Sequence, residues 1–193
     1  MCHKRHWFCF VLALSSWPLG ASARNAEPGR LHLGGGLGPG LNMGNRLGTA
    51  PADLLVTLAG DWSWSRALGT TAAATFGLGG SEPILGRLGM RLRAHSLGLA
   101  ISPYAQAELA GGGLLRVLGS RQRFLGSRLG GGIDYFATGN VTVGLGLGVL
   151  LGSTLGERPA FYGLVDATLY VTVALNRPLA AAATTEPTPA AAH

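Results

Sequence analysis

A strict alternation of branched apolar residues with small ones runs from Asn140 to Gly152, in the stretch NVTVGLGLGVLLG. Every odd position from 141 to 151 is Val or Leu, whereas the even positions between them are Thr, Gly and, once, Leu. A period of two indicates a β-strand, because successive side chains point to opposite faces. The aliphatic face would line the core of a water-soluble sandwich, but it would point outward in a barrel dissolved in lipid.

Seven further segments alternate in the same way, so we predict eight strands. They cover residues 29–38, 53–64, 68–78, 84–93, 97–109, 127–136, 140–152 and 161–175. Tight turns are predicted near 65–67, 94–96 and 137–140, and longer connections at 41–52, 79–83, 111–126 and 152–160. Alternating short and long connections are typical of outer-membrane barrels. Pro103 lacks an amide donor, which predicts a bulge or break in the fifth strand.

The charged residues assigned to strand faces all fall on the small, polar side. They are four arginines and four acids: Arg87, Arg91, Arg93 and Arg128, with Asp61, Glu108, Asp134 and Asp166. In a soluble sandwich the polar face meets water and carries many charges, but here it is mostly Gly, Ala, Ser and Thr. An isolated buried charge is costly, so these eight side chains predict an ion-pair network that fills the lumen of a small closed barrel.

Aromatic residues lie near the ends of the predicted strands. Trp62, Trp64 and Tyr135 fall toward one end, and Phe76 and Phe161 toward the other. Two aromatic girdles at the two membrane interfaces would place them in this way. The alternative interpretation is the scattered aromatic content of a soluble core.

Residues 1–23 are predicted to be a signal peptide. A basic start, MCHKRH, precedes an apolar run that is too short to span a bilayer, and the small-residue sequence ASA follows. The alternative is an N-terminal membrane anchor. Residues 24–176 are predicted to form the barrel, and the Ala/Thr/Pro-rich residues 177–193 a disordered tail.

Composition excludes several classes of function. Both cysteines lie in the predicted leader, so the mature chain would have neither a disulfide nor a thiolate nucleophile. The net charge of +6 is spread along the chain and gives no nucleic-acid footprint. Only 12% of residues are charged, yet no apolar run after the leader is long enough for a membrane helix.

With this leader, these strands and these connections, the chain resembles the small eight-stranded β-barrels of bacterial outer membranes, such as the transmembrane domain of outer membrane protein A. The resemblance covers about residues 29–175 and is architectural. It implies an all-β, antiparallel, up-and-down transmembrane barrel with a filled lumen in a Gram-negative outer membrane. It also implies insertion by the barrel-assembly machinery and contact with outer-membrane lipids and lipopolysaccharide. One departure is that the last strand ends at Leu175 and a tail follows, where the family usually ends on an aromatic residue.

The sequence contains no pattern that favours a catalytic site. Barrels that deacylate lipid A use His, Ser and Glu, with one residue between the His and the Ser. Here His95 and Ser96 are adjacent, so that pattern is not met. His32 has no partner at metal-ligand spacing and is predicted to be an interior histidine. The glycine clusters lack the Lys-Ser/Thr of a phosphate loop. We therefore predict no catalytic, metal or cofactor site.

A basic segment, residues 114–128, runs from the connection after the fifth predicted strand into the start of the sixth. Arg116, Arg121, Arg123 and Arg128 lie in it, and its tip could contact lipopolysaccharide phosphates. A solvated loop or an extension of the two strands is the favoured alternative. The predicted function is that of a monomeric outer-membrane barrel with a structural or surface-interaction role. The alternatives are a lipid-A-modifying barrel enzyme and a secreted soluble β-barrel or sandwich that binds a ligand.

Overall fold

The computed structural model describes residues 28–43, 52–94, 100–117, 120–156 and 159–175 and contains eight strands. They are β1 (Leu31–Met43), β2 (Ala52–Ser63), β3 (Leu68–Gly79), β4 (Pro83–Arg93), β5 (Ile101–Val117), β6 (Ser120–Phe136), β7 (Val141–Leu155) and β8 (Phe161–Leu175). Each strand pairs antiparallel with its neighbour in sequence, and β1 pairs with β8, which closes the barrel. The predicted fold class is thus confirmed.

The described residues contain no helix that is long and apolar enough to cross a membrane. The predicted signal peptide, residues 1–23, and the predicted tail, residues 177–193, lie outside the described residues. His95 and Ser96 lie outside them too. Those interpretations remain predictions.

The register of the strand pairs fixes how the barrel closes. Following paired residues once around the barrel from Leu31 leads back to β1 at Leu41, ten residues further along. The partners on the way are Trp62, Thr70, Met90, Ala107, Leu129, Val149 and Val165. A stagger of this size tilts the strands by about 40° from the barrel axis. The 13 residues of β1 then span about 30 Å along that axis.

The aliphatic side chains of the strands point away from the barrel axis. In β7, Leu145 and Leu147 are 52% and 60% exposed, whereas the glycines between the branched residues are buried. Leu109 and Leu129 on β5 and β6 are the most exposed leucines, at 71% and 65%. The face of each strand that carries most of the small and polar side chains therefore lines the lumen, and the aliphatic face forms the outer wall.

The connections differ from the sequence prediction at two places. Residues 80–82 alone join β3 to β4, and residues 118–119 alone join β5 to β6. The predicted loop at 111–126 is therefore wrong: it is the end of β5 and the start of β6. β5 and β6 thus form one long hairpin. The sequence prediction ended the fifth strand and began the sixth too far from this turn, because the glycines of the segment weaken the apolar alternation. The predicted tight turn at 94–96 falls mostly on residues outside the described part of the chain and stays a prediction.

The predicted bulge at Pro103 is wrong as well. Pro103 pairs with Ile133 in the regular β5–β6 register, and the irregularity in this pair lies between Leu114 and Val117. The Pro103 carbonyl accepts a hydrogen bond from the Ala94 amide at 2.8 Å, just beyond the last residue of β4. The Ala94 carbonyl, which an amide at position 103 would have bonded, accepts a hydrogen bond from the Ser102 hydroxyl at 3.2 Å instead, so the proline is tolerated at this edge of the β4–β5 pairing.

Candidate functional site in the barrel lumen

Both chain ends of the barrel and the turns after β2, β4 and β6 lie at one end of it, which we call the termini end. The connections after β1, β3, β5 and β7 lie at the other end, which we call the loop end. The eight charged residues predicted to share the lumen all lie inside it, and they form two groups at different heights.

The terminal layer consists of Asp61, Arg91, Arg93 and Asp134, near the termini end. Arg93 bridges the two acids, with Nη2 2.6 Å from Asp61 Oδ2 and Nε 3.2 Å from Asp134 Oδ2. Arg91 Nη1 lies 3.3 Å from the same oxygen of Asp61. Two cations thus share two carboxylates, which satisfies most of the charge without water.

Two tyrosines complete the terminal layer. The Arg91 guanidinium lies 4.2 Å from the centre of the Tyr104 ring and 5.7 Å from that of Tyr170. The rings meet edge to face, with centroids 6.4 Å apart. Tyr170 also donates a hydrogen bond from its hydroxyl to Asp134 Oδ1. Cation–π contacts of this kind are strongest where water is excluded.

The central layer consists of Arg87, Glu108, Arg128 and Asp166. Arg128 holds Asp166 with two parallel bonds, from Nε at 2.8 Å and Nη2 at 2.6 Å. Its remaining nitrogen, Nη1, lies 3.1 Å from Glu108 Oε2, and Arg87 Nη1 lies 3.3 Å from that same oxygen. Arg128, Glu108 and Asp166 are each 4% exposed. This two-pronged geometry is the strong form of an Arg–carboxylate contact.

The lumen glycines leave the space that these large side chains occupy. A Cβ on Gly144 would lie 2.2 Å from the Tyr170 ring, and one on Gly148 would lie 2.2 Å from the Arg128 guanidinium. A Cβ on Gly146 would come within 2.6 Å of the Tyr104 hydroxyl. Side chains from β5, β6 and β8 therefore pack directly against the backbone of β7 at its repeated glycines.

An apolar cluster fills the lumen on the loop-end side of the central layer. We call it the apolar plug; its members are Leu55, Leu85, Ala110, Leu114, Phe124, Leu150, Tyr162 and Leu164. None of them is more than 2% exposed. The Phe124 and Tyr162 rings meet edge to face with centroids 5.5 Å apart. Buried apolar side chains thus occupy the lumen at this height of the described barrel.

A polar cluster covers the plug at the loop end. Asp53 accepts hydrogen bonds at Oδ2 from the Ser81 hydroxyl at 2.8 Å and at Oδ1 from the Glu82 amide at 3.2 Å. The hydroxyl groups of Ser81 and Tyr162 lie 2.8 Å apart. The short β3–β4 connection is thus folded inward over the barrel mouth, and Glu82 adopts a φ of +46° there.

A small cavity of about 60 Å³ lies between the two charged layers. His32, Asp61 and Arg87 line it, and each has one buried polar atom without a partner: Nε2, Oδ1 and Nε respectively. A polar space of this size holds a few water molecules. His32 is 5% exposed, so it is an interior histidine as predicted, but its Nε2 is unpaired among the described protein atoms.

Sequence reasoning missed the plug and the cluster that covers it. Leu55, Leu85, Leu150 and Leu164 occupy lumen-facing positions, which were expected to be small or polar. The signal was present, since Leu150 is the one apolar side chain larger than glycine at an even position of the opening stretch. Asp53 faces the lumen from β2 as Asp61 does, but it was not included in the predicted ion-pair network.

The residues proposed for the aromatic girdles lie on or near the outer wall. Trp64 and Phe161 are 62% and 64% exposed, Phe76 is 40% exposed, and Trp62 and Tyr135 are half-buried. Trp62, Trp64 and Tyr135 are at the termini end, and the two phenylalanines are toward the loop end. The Trp64 indole donates to the Thr70 hydroxyl at 2.5 Å. Their role at a membrane interface stays a prediction.

No group of three His, Cys, Asp or Glu side chains suited to a metal occurs among the described residues. Glu108, the first acid after His95 and Ser96 in the sequence, is held by Arg87 and Arg128 inside the lumen. His95 and Ser96 themselves are outside the described part of the chain. Ser81 is fully buried beneath the loop end.

Solved structures with the same architecture are known. The chain is similar to the N-terminal β-barrel domain of Pseudomonas aeruginosa OprF (TM-score 0.59, 15% identity, covering 77% of this chain and 98% of that one). It is similar to Neisserial surface protein A (0.57, 13%, 74% and 96%). It is also similar to outer membrane protein OprG from Pseudomonas aeruginosa (0.57, 10%, 80% and 99%). Comparisons with protein-family models and with curated proteins find no match.

The closed barrel and these neighbours define the class of fold. The chain has the fold of the small eight-stranded antiparallel β-barrels of outer membranes, in agreement with the resemblance stated from the sequence. At identities of 10–15% the likeness is one of architecture and carries no function by itself.

Proposed function

We propose that the chain is an integral outer-membrane β-barrel with a closed lumen, that its role is structural or in surface interaction, and that it is not an enzyme. The observation that carries this proposal is the inversion of the usual soluble pattern. Large aliphatic side chains cover the outside of the barrel, and the eight charged side chains of the two layers are inside.

The size of the apolar surface supports membrane insertion. A monomeric soluble protein rarely exposes a continuous apolar patch above a few hundred Å². Here every strand contributes exposed leucine, isoleucine, valine, methionine or phenylalanine side chains to the outer wall. A barrel that hydrogen-bonds all its strands also satisfies the backbone without water, as a lipid environment requires. A secreted soluble binder, the alternative, would leave this wall in water.

The termini end is proposed to face the periplasm and the loop end to face outward. The long β5–β6 hairpin supports this orientation, because outer-membrane barrels carry their larger projections outside and short turns inside. Beyond Leu114 and Arg123 this hairpin has no strand partner on either side, so it projects past the barrel wall.

A non-catalytic role is proposed from the way the polar groups are used. The acids of both layers are bound by arginines, and the loop end is closed by the plug. The hydroxyl of Ser81 is buried and shared with Asp53 and Tyr162, which leaves no approach for a substrate. The lipid-A-modifying alternative has no observation in its favour among the described residues.

The remaining expectations belong to this proposal. Residues 1–23 would direct export, the barrel-assembly machinery would insert the chain, and outer-membrane lipids and lipopolysaccharide would surround it. The barrel is proposed to be a monomer, since its strands close on one another without a partner.

The test is fractionation of a Gram-negative host that expresses the full chain. We expect the protein in the outer membrane, released by detergent but not by high salt, and with a gel mobility that changes on boiling. Recovery in the buffer-soluble fraction would contradict the proposal.

Orientation is tested by single cysteines in a chain whose Cys2 and Cys9 are replaced by serine. Gly156→Cys lies at the loop end and Gly139→Cys at the termini end. A membrane-impermeant maleimide should label only Gly156→Cys on intact cells. Labelling of Gly139→Cys alone would reverse the proposed orientation.

A further inference from the structure

The outer wall of the barrel is almost free of charge. Among the strand residues whose side chains the structure describes, Arg121 and Arg123 on β6 are the only charged ones that alternate onto the outward face. Both are exposed, and neither is part of the lumen network. Two cations and no anion on an otherwise aliphatic wall require an explanation.

The two arginines lie at the loop-end limit of this wall, Arg123 at the last pairing with β7 and Arg121 just beyond it. Along the outward face of β6 they precede Leu125 and Leu129, which are 58% and 65% exposed. Arg123 pairs directly with Leu155, which is 50% exposed on β7. The guanidinium groups therefore begin where the aliphatic belt ends, on the loop-end side.

Their spacing places the two charges together. Residues two apart on one strand face are about 7 Å apart, so the arginines form a pair of like charges. No described acid faces them from β5 or β7, where the outward positions nearby are Gly113, Leu115, Ser153 and Leu155. Among the described residues no acid neutralises the pair on this face, which favours a counter-charge from outside the chain.

We propose that Arg121 and Arg123 form a binding site for the phosphate groups of an anionic lipid in the outer leaflet, of the phosphorylated lipid A type. The guanidinium fork matches the geometry of a phosphate and binds it through two parallel hydrogen bonds. The lipid's acyl chains would lie against Leu125, Leu129 and Leu155 directly below. A ligand that combines phosphate with hydrocarbon thus matches both parts of this surface.

This inference rests on the proposed membrane location and orientation. A polyanionic polysaccharide or free phosphate would also attract two arginines, but neither would use the aliphatic surface beneath them. The experiment therefore has to separate charge alone from charge joined to acyl chains.

The test is native mass spectrometry of the detergent-purified full chain with added lipid. The probes are bisphosphorylated lipid A, the same lipid with its phosphates removed, and phosphatidylcholine. We expect wild type to prefer the bisphosphorylated lipid, and Arg121→Gln/Arg123→Gln to bind it about tenfold more weakly. Arg121→Lys/Arg123→Lys should fall between them, because lysine keeps the charge but loses the fork.

Arg66→Gln is the matched control, because Arg66 is an exposed arginine in the turn after β2, at the opposite end. It should bind the lipid as wild type does. Equal binding by wild type and Arg121→Gln/Arg123→Gln would overturn the inference. So would equal binding of the dephosphorylated lipid, or full displacement of the lipid by an equal concentration of inorganic phosphate or of a sulfated polysaccharide.

Boiling-dependent gel mobility, measured on the same samples, separates this inference from the proposed function. Arg121→Gln/Arg123→Gln should retain the mobility shift, since these side chains make no contact inside the lumen. If wild type itself fails to reach the outer membrane, the proposed function fails whatever the lipid result. If it reaches the membrane and the lipid preference is absent, only the present inference fails.

Discussion

At the scale of single residues, each charged side chain in the lumen depends on its partners, because removing one leaves another charge uncompensated. Arg128 is the extreme case, because all three of its nitrogens bond to carboxylates, two on Asp166 and one on Glu108. Removing one partner of a buried pair leaves the other charge uncompensated in a medium of low dielectric. Arg128 thus stabilises the barrel mainly by compensating the buried negative charges of Asp166 and Glu108.

Arg128→Met should therefore lower the free energy of unfolding by about 3–5 kcal/mol. Urea unfolding in lipid vesicles, followed by tryptophan fluorescence, measures it. Arg66→Met in the exposed turn is the control and should change the value by less than about 0.5 kcal/mol. A loss below 1 kcal/mol for Arg128→Met would show that water enters and screens the central layer.

The glycines of β7 give a second prediction at this scale. In Gly144→Ala the new methyl group would overlap the Tyr170 ring, whose hydroxyl is held by Asp134. We expect a loss of about 1–3 kcal/mol, as for other overpacked sites. Gly139→Ala is the control, because nothing lies within 4 Å of its added Cβ. Equal stability of the two variants in the same urea assay would contradict the packing described here.

At the scale of strands, alternation alone predicted the number, order and facing of all eight. Val and Leu at every second position in β7 and the confinement of charges to one face of β4 were sufficient, since period two is a local property. The ends of β5 and β6 were not predictable in this way. Gly111, Gly112 and Gly113 interrupt the apolar pattern, and only the pairing with β4 and β6 holds them extended.

The charged site in the lumen was also predictable only in part. The eight charges were placed inside because an outer wall of lipid-facing residues leaves no other position for them. Their division into two layers was not predictable, because it depends on the ten-residue stagger, which no single strand contains. The plug was missed because its leucines come singly from several strands and meet only in the closed barrel.

The β5–β6 hairpin gives the prediction at this scale. Replacing residues 116–120 with Asn-Gly should leave the urea midpoint unchanged, because the last β4 partner is Leu114 and the first β7 partner is Arg123. Deleting Gly131 within β6 is the contrasting change. It shifts the register by one, turns Asp134 to the outside, and should abolish folding. A folded Gly131 deletion, judged by mobility before and after boiling, would contradict this account of the faces.

At the scale of the whole molecule, we expect the plug and not the charged layers to be the barrier to ions. The charged layers line a cavity of about 60 Å³, which is large enough for a few water molecules, whereas the plug consists of apolar side chains. Apolar constrictions can exclude water and therefore ions. Closure by hydrocarbon also explains why the lumen contains buried leucines beside its ion pairs.

Planar-bilayer conductance tests this. Wild type should show no steady conductance, whereas Phe124→Ala/Leu150→Ala/Leu164→Ala should open steps well above baseline. Leu151→Ala is the control, since Leu151 neighbours Leu150 in sequence but is 41% exposed on the outer wall. A conducting wild type would refute closure by the plug, and a silent triple variant would move the barrier to the charged layers.

The pairing of β1 with β8 has a consequence for biogenesis. Leu31 lies against Leu175, so the seam joins segments from opposite ends of the sequence, and contacts of such separation form slowly. A nascent chain lacking β8 has two unsatisfied edges, which hydrocarbon does not tolerate. If the barrel lies in a membrane as proposed, we expect its insertion to require β8. Any arrest of synthesis before Phe161 should leave a species that a chaperone must hold or a protease remove.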